Sequence, residues 1–202
     1  MGKQFVLKCN FLKGAVNHRL RFGGGRGQHL PKAVGMKRGQ SPTIIDATAG
    51  LGRDAFLLAS LGSQVTLIER SDIIHELLVA GMEAARQAGS QHKNIIDRMT
   101  LIHGDSIALL PHMQADVVLV DPMHPKRQKS AMVKAEMRAI RDIVGVDEDQ
   151  RLLVETALAM AAKRVVLKWP AKAAPLKGLR PASHQIIGRS IRYDVFMNIK
   201  EG

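Results

Sequence analysis

The stretch that most constrains this chain is Thr43-Ile44-Ile45-Asp46 followed by Ala47-Thr48-Ala49-Gly50-Leu51-Gly52-Arg53-Asp54-Ala55. A short β-branched run ending on an acid, two glycines one residue apart, and then apolar residues at helical spacing read as a buried strand turning sharply into a helix. Gly50 and Gly52 let backbone come close to a ligand, and the helix start offers unpaired N–H groups to a carboxylate or phosphate. The helix predicted over Asp54–Leu61 stops at Gly62, and a second β-branched run, Val65–Ile68, ends on Glu69. Strand, helix and strand in this order form a βαβ unit, whose two strands must be parallel.

The pattern continues downstream. The spacing predicts a helix over Asp72–Ala88 stopping at Gly89, a strand at Thr100–His103, a short helix at Ser106–Leu110 and a strand at Val117–Val120. After a long segment over 122–150 come a helix at Arg151–Ala162 and a strand at Val165–Trp169. Such alternation predicts an α/β fold, a Rossmann-like sheet that is mostly parallel with helices on both faces. Gln185–Ile187 and Tyr193–Ile199 follow each other with no helix between, so a C-terminal antiparallel hairpin is expected at the sheet edge. Residues 1–40, with the glycine-rich loop Phe22–Gly27, are expected to form a basic segment packed on a main domain over 41–202.

Charge is spread unevenly over the 202 residues, whose net is +12. Residues 1–45 hold nine Lys or Arg and no acid, residues 46–125 five bases against ten acids, and residues 126–172 eleven bases against six acids. An acidic centre between basic flanks suits a small cationic or polyhydroxyl ligand in the middle and a polyanion gripped from the sides. No run approaches the ~18 apolar residues of a membrane span. The first ten residues lack a secretory apolar region, and the lone Cys9 excludes an intramolecular disulfide, so a soluble, cytoplasmic protein is expected; a monomer is assumed, since the sequence does not give the oligomeric state. The eight histidines show no metal-ligand spacing, and no metal site is expected.

Gly50-x-Gly52-x-x-Ala55, with Glu69 downstream, also fits a dinucleotide fingerprint. Asp46, however, puts a carboxylate where a pyrophosphate would approach, whereas a ligand bearing an ammonium and a sulfonium would welcome it. Asp105 after the third strand and Asp121 after the fourth add two acids to the same edge.

The ordered set Asp46-x-x-x-Gly50-x-Gly52, Glu69, Asp105 and Asp121-Pro122 resembles the class I S-adenosylmethionine-dependent methyltransferases. The resemblance implies that S-adenosyl-L-methionine is the cofactor and that Glu69 holds its ribose hydroxyls. The glycine turn would face the methionine part, with Asp105 and Ser106 beside the adenine; Asp46, Arg53, Asp54, Arg70 and Asp121 complete the expected cofactor contacts. Asp121-Pro122-Met123-His124-Pro125 resembles the Asp/Asn-Pro-Pro-aromatic loop of methyltransferases acting on exocyclic amino groups of nucleobases. An aromatic amine is a poor nucleophile that must be oriented and polarised, which Asp121 and the Pro122 carbonyl can do by accepting its two N–H bonds. Met123 departs from the second proline of that pattern and His124 from the aromatic, leaving an imidazole to stack on a flipped base.

Gly14-Ala15-Val16-x-His18-Arg19, Phe22-Gly23-Gly24-Gly25-Arg26-Gly27, Lys32-Ala33-Val34-Gly35 and Gln128-Lys129-Ser130-Ala131 with Lys134 and Glu136-Met137-Arg138 narrow this further. Together with the blocks above they resemble the ribosomal small subunit methyltransferase J family over residues 14 to 170. That resemblance implies methylation of guanine N2 in 16S rRNA, with 16S rRNA or the small ribosomal subunit as partner. Asp121, Pro122 and His124 are the expected catalytic residues. Arg26, Lys126, Arg127, Lys129 and Lys134 are expected to meet RNA phosphates, Arg26 being also within reach of the cofactor carboxylate. An NAD-dependent oxidoreductase and a non-catalytic RNA-binding protein are the competing readings.

Overall fold

A computed structural model describes residues 7–13, 25–122 and 149–198. In chain order the elements are α1 (His29–Ala33), β1 (Ile44–Asp46), α2 (Arg53–Ser60), β2 (Val65–Glu69), α3 (Asp72–Gln87) and α4 (Ser90–Ile96). They continue with β3 (Met99–His103), α5 (Ser106–Leu109), β4 (Val117–Val120), α6 (Gln150–Met160), β5 (Arg164–Pro170), β6 (His184–Ile187) and β7 (Ile191–Met197). The strands form one seven-stranded sheet in the order β3-β2-β1-β4-β5-β7-β6. The first five are parallel, and β7 runs antiparallel to both β5 and β6.

The strand sequences explain the layering. Every residue of β4 is buried, because Val117 and Leu119 enter one core while Val118 and Val120 enter the other. Side chains alternate across a strand, so a continuous apolar run requires cover on both faces. One face is closed by Phe11, Leu30 of α1, Phe56 and Leu58 of α2, Ile74 and Leu78 of α3, and Ile96 of α4. The other is closed by Leu110 and by Leu153, Val154 and Ala157 of α6.

The sequence predicts the C-terminal hairpin, and the structure shows how it joins the sheet. Its second strand, not its first, pairs with β5. Arg192 to Phe196 are all buried, whereas three of the four β6 residues are exposed. The strand with two burial faces therefore takes the interior place and the half-polar one takes the edge. One helix, α4, escapes the sequence reading, and so do the bounds of α1, expected only as one helix between Phe22–Gly27 and the first strand. The helix α4 buries only Ile95 and Ile96 behind a polar Ser-Gln-His-Lys-Asn start, and α1 is five residues long. Neither is long enough to carry a helical period.

Gly52 fixes the entry into α2. It sits at φ +67°, and a Cβ built there would lie 2.8 Å from Leu78 Cδ2 and 3.2 Å from Phe11 Cζ, both fully packed. Gly52→Ala is expected to lose about 2–4 kcal/mol of stability, from left-handed backbone and overpacking together. Urea unfolding would measure it, and a change within experimental error would show that the turn relaxes.

Candidate active site

The parallel strands deliver their acids to one edge. Asp46 ends β1, Glu69 ends β2, Asp105 follows β3 and Asp121 follows β4. The glycine turn between β1 and α2 is tied to each of these strand ends. Glu69 is 6% exposed, and its Oε2 accepts the Gly50 N–H at 2.9 Å while Oε1 accepts the Ser71 N–H at 2.9 Å. Burial pushes the Glu69 carboxyl up, and these backbone donors pull it back. The Asp121 N–H donates to Thr48 Oγ1 at 2.7 Å, joining the turn to the end of β4. Ser106 Oγ donates to the Ala47 carbonyl at 2.6 Å, and Asp105 Oδ1 caps α5 by accepting the Ile107 N–H at 2.9 Å. Ser106 and Asp105 thus carry structural bonds as well as lying where the sequence places them.

Three carboxylates crowd the middle of the edge. Asp46 is 3% exposed, and its pKa is raised to about 7, first by burial and then by Asp54 and Asp121, against the Thr48 N–H that Oδ1 accepts at 3.2 Å. The counter-charge is Lys168 of β5, which the sequence reading passed over. Its Nζ donates to Asp54 Oδ2 at 2.7 Å and to Asp121 Oδ2 at 2.6 Å. Burial pulls the Lys168 ammonium down, but Asp121 and Asp54 outweigh burial and hold it above the ordinary lysine value. The signal was present: a single lysine inside Val165-Val166-Leu167-Lys168-Trp169, a strand covered on both faces, must have an acid partner.

Other expected residues fall differently. Arg53 opens α2 on this edge, and Arg70 after β2 ties to Asp149 at 3.0 Å, just before α6. Pro122 is buried beside Asp121. Arg26 is not brought to the edge at all. Its guanidinium donates to the carbonyls of Lys37 and Leu61 and to Ser41 Oγ, and Leu61 follows α2 while Ser41 precedes β1, at the opposite end of the sheet. His124, Lys126, Arg127, Lys129 and Lys134 lie outside the described residues.

This edge can receive a small ligand of mixed charge. Gly50 sits at φ +52°, and a Cβ built there would find only the Thr48 carbonyl, 4.0 Å away, so the turn presents open backbone. Each Glu69 oxygen spends one lone pair on a backbone N–H, which leaves acceptor capacity for a diol. Asp46 lies buried beneath with a carboxyl that ionises most readily beside a cation. Ammonium, sulfonium and ribose hydroxyls fit this set, and a pyrophosphate does not.

Residues 1–198 match a family described as "Putative SAM-dependent methyltransferase". The ribosomal RNA small subunit methyltransferase J of Brucella anthropi is 58% identical over 194 residues, covering 96% of this chain and 95% of that protein. The protein of the same name from Agrobacterium fabrum is 58% identical over 188 residues, covering 93% and 90%. Among solved structures, a SAM-dependent methyltransferase from Neisseria gonorrhoeae superposes with a TM-score of 0.76 at 32% identity, covering 97% of this chain and 76% of that one.

Two outcomes follow from the buried charges. A carboxyl whose folded pKa is near 7, against 3.8 ordinarily, costs stability progressively as pH rises from about 4 to 7. Asp46→Asn should therefore leave stability at pH 4 nearly unchanged and raise it at pH 8 by on the order of 2–4 kcal/mol, read from denaturant midpoints at the two pH values. Lys168→Met removes the ion pairs to Asp54 and Asp121 and should cost about 2–3 kcal/mol at pH 8, less than for a fully buried pair because Asp121 is partly exposed. Unchanged melting of that variant would show that the carboxylates find other partners.

Proposed function

Because this chain belongs to the ribosomal RNA small subunit methyltransferase J family, within the SAM-dependent methyltransferases, we propose that it methylates the exocyclic N2 of one guanosine in 16S rRNA. The observation that carries the reading is Asp121 at the end of β4, followed by Pro122, with its carboxylate gripped by Lys168 and its N–H by Thr48. S-adenosylmethionine supplies, when bound, an electrophilic methyl group on a sulfonium.

The chain's own residues do the rest. Glu69 accepts hydrogen bonds from the ribose hydroxyls, Asp46 meets the ammonium, and open backbone at Gly50 and Gly52 receives the methionine part. Arg53, Asp54, Arg70, Asp105 and Ser106 line the same pocket. A carboxylate accepts several hydrogen bonds at once, so Asp121 can take one guanine N2–H while it holds the Lys168 ammonium. The Pro122 carbonyl accepts the second N–H, and the nitrogen lone pair is turned out of ring conjugation toward the methyl group. The N–C bond would form as the methyl–sulfur bond breaks, its electron pair staying on sulfur as a neutral thioether; the nitrogen, now cationic and strongly acidic, loses its proton to Asp121 or water. His124 stacks on the flipped base, and Lys126, Arg127, Lys129 and Lys134 hold flanking phosphates. A ribosomal RNA substrate would put the enzyme at work in the cytoplasm, with one chain as the acting unit; among the described residues no helix is long and apolar enough to cross a membrane.

Mass spectrometry of rRNA digests from cells with and without this protein should show one N2-methylguanosine missing from the small subunit. Asp121→Ala should lower kcat by about 10²–10³-fold while S-adenosylhomocysteine affinity stays within about threefold. Retained methylation by that variant would refute the role of Asp121. NADH binding without S-adenosylhomocysteine binding would restore the oxidoreductase reading.

A further inference from the structure

We propose that the cleft between α1 and the β6–β7 turn seats the phosphodiester backbone of the substrate RNA next to the target nucleotide, with Arg189 as its phosphate contact. The proposal rests on the rRNA reading above and names a subsite for it.

The cleft's place follows from strand register. Lys168 pairs with Tyr193 across the β5–β7 ladder, and Pro170 pairs with Ile191. Leu167 and Trp169 enter the core on the α6 side, so Lys168 faces the opposite side, where Tyr193 is also packed. Directly opposed residues on neighbouring strands are about 5 Å apart. Tyr193 lines a cavity of about 380 Å³ together with Gln28, His29, Gly188, Arg189 and Ser190. The cavity therefore lies on the same sheet face as the Lys168–Asp121 pair, one strand over, with the β6–β7 turn at the level where β5 ends. RNA with its target base directed at Asp121 has to continue across this turn or across the loop after Pro122.

The chemistry of the lining separates it from a packing defect. None of the lining residues is an acid, although the neighbouring strand edge is crowded with them. The hairpin carries two arginines with opposite assignments. Arg192 is 4% exposed and held through Nε and Nη1, donating to Asp194 at 2.9 Å and to the carbonyls of Pro170 and Ala173 at 3.0 and 2.6 Å. Arg189 is exposed at the tip and makes no ion pair or hydrogen bond to another described side chain. The structural work of the hairpin is done by Arg192, which leaves Arg189 as a cation with a long reach and five donors. Beside it Ile187 is 63% exposed and Ile191 37%. A guanidinium over a cleft that mixes Gln28, His29 and Ser190 with Leu30, Ile191 and Tyr193 matches alternating phosphate and ribose faces, better than it matches a free inorganic anion or an acidic peptide. Such a contact fixes register without reading sequence.

The test uses the full-length enzyme with small-subunit rRNA, as naked RNA and as the assembled subunit. Arg189→Glu should weaken RNA binding at least tenfold near 150 mM salt and flatten the slope of log Kd against log salt by about one. Arg189→Lys should recover most of the affinity. The kcat at saturating RNA, S-adenosylhomocysteine affinity and the melting temperature should stay near wild type, since Arg189 touches none of the buried site. Ultraviolet cross-linking should attach nucleotides to the peptide spanning residues 184–193. Unchanged RNA affinity of Arg189→Glu beside an active wild type overturns the cleft assignment, as does a cross-link from that peptide to a ribosomal protein. A loss of kcat with unaltered RNA affinity overturns it too, by moving Arg189 into the chemistry. If the wild type transfers no methyl group to either substrate, the rRNA reading itself fails, which is a different result.

Discussion

One ammonium between two carboxylates governs what the rest of this sheet edge can be. Asp46, Asp54 and Asp121 come from the end of β1, the first turn of α2 and the end of β4, which brings three acids together at one place. Unit charges about 4 Å apart repel by several kcal/mol at the effective dielectric of a partly buried site. The compensating charge has to arrive from a strand adjacent to β4, and Lys168 of β5 is placed there by the order β1-β4-β5. The antiparallel β7 then closes the far side of β5 and holds the lysine's strand in the interior of the sheet, away from solvent. Topology and electrostatics are thus linked, since a sheet ending at β4 would lack the Lys168 ammonium that bridges Asp54 and Asp121.

The second tie is Glu69. By accepting from Gly50 on one side and Ser71 on the other, its carboxylate fixes the glycine turn against the start of α3. Both glycines need left-handed backbone, for different reasons. At Gly52 the missing Cβ makes room for Leu78 and Phe11, so the requirement comes from packing. At Gly50 the missing Cβ faces open space, so the requirement comes from what must approach.

Much of this was legible in the sequence, and the omissions have physical reasons. The β-branched runs at 44–46, 65–69 and 117–120 announced themselves because strands covered on both faces are nearly all apolar. The acids at their ends were visible because each strand stops on one. Lys168 was missed because a motif read along the chain weighs local spacing, and its partners are 114 and 47 residues away. Arg26 misled for the converse reason. It sits inside a glycine cluster that looks like a ligand loop, yet its guanidinium closes carbonyls at the other end of the sheet. The inward place of β7 was readable in principle from the unbroken burial of residues 192–196, had Arg192 and Asp194 been recognised as a buried pair inside a strand.

An enzyme that holds a cationic cofactor and a polyanionic substrate side by side faces a conflict, because the acids suited to the first repel the second. This fold resolves it by depth. Asp46 and Glu69 are withdrawn to 3% and 6% exposure, so their field reaches the surface only after Lys168 and the backbone donors have offset it. Asp46 goes further, since a carboxyl with a pKa near 7 carries a proton for much of the time when no cation lies beside it. Under the proposed cofactor role, an ammonium at Asp46 would take the place of that proton, which keeps the buried negative charge small in either state. The cation proposed to meet RNA, Arg189, by contrast sits on an exposed turn, where salt would screen it and where it would act over the distance at which RNA is first met.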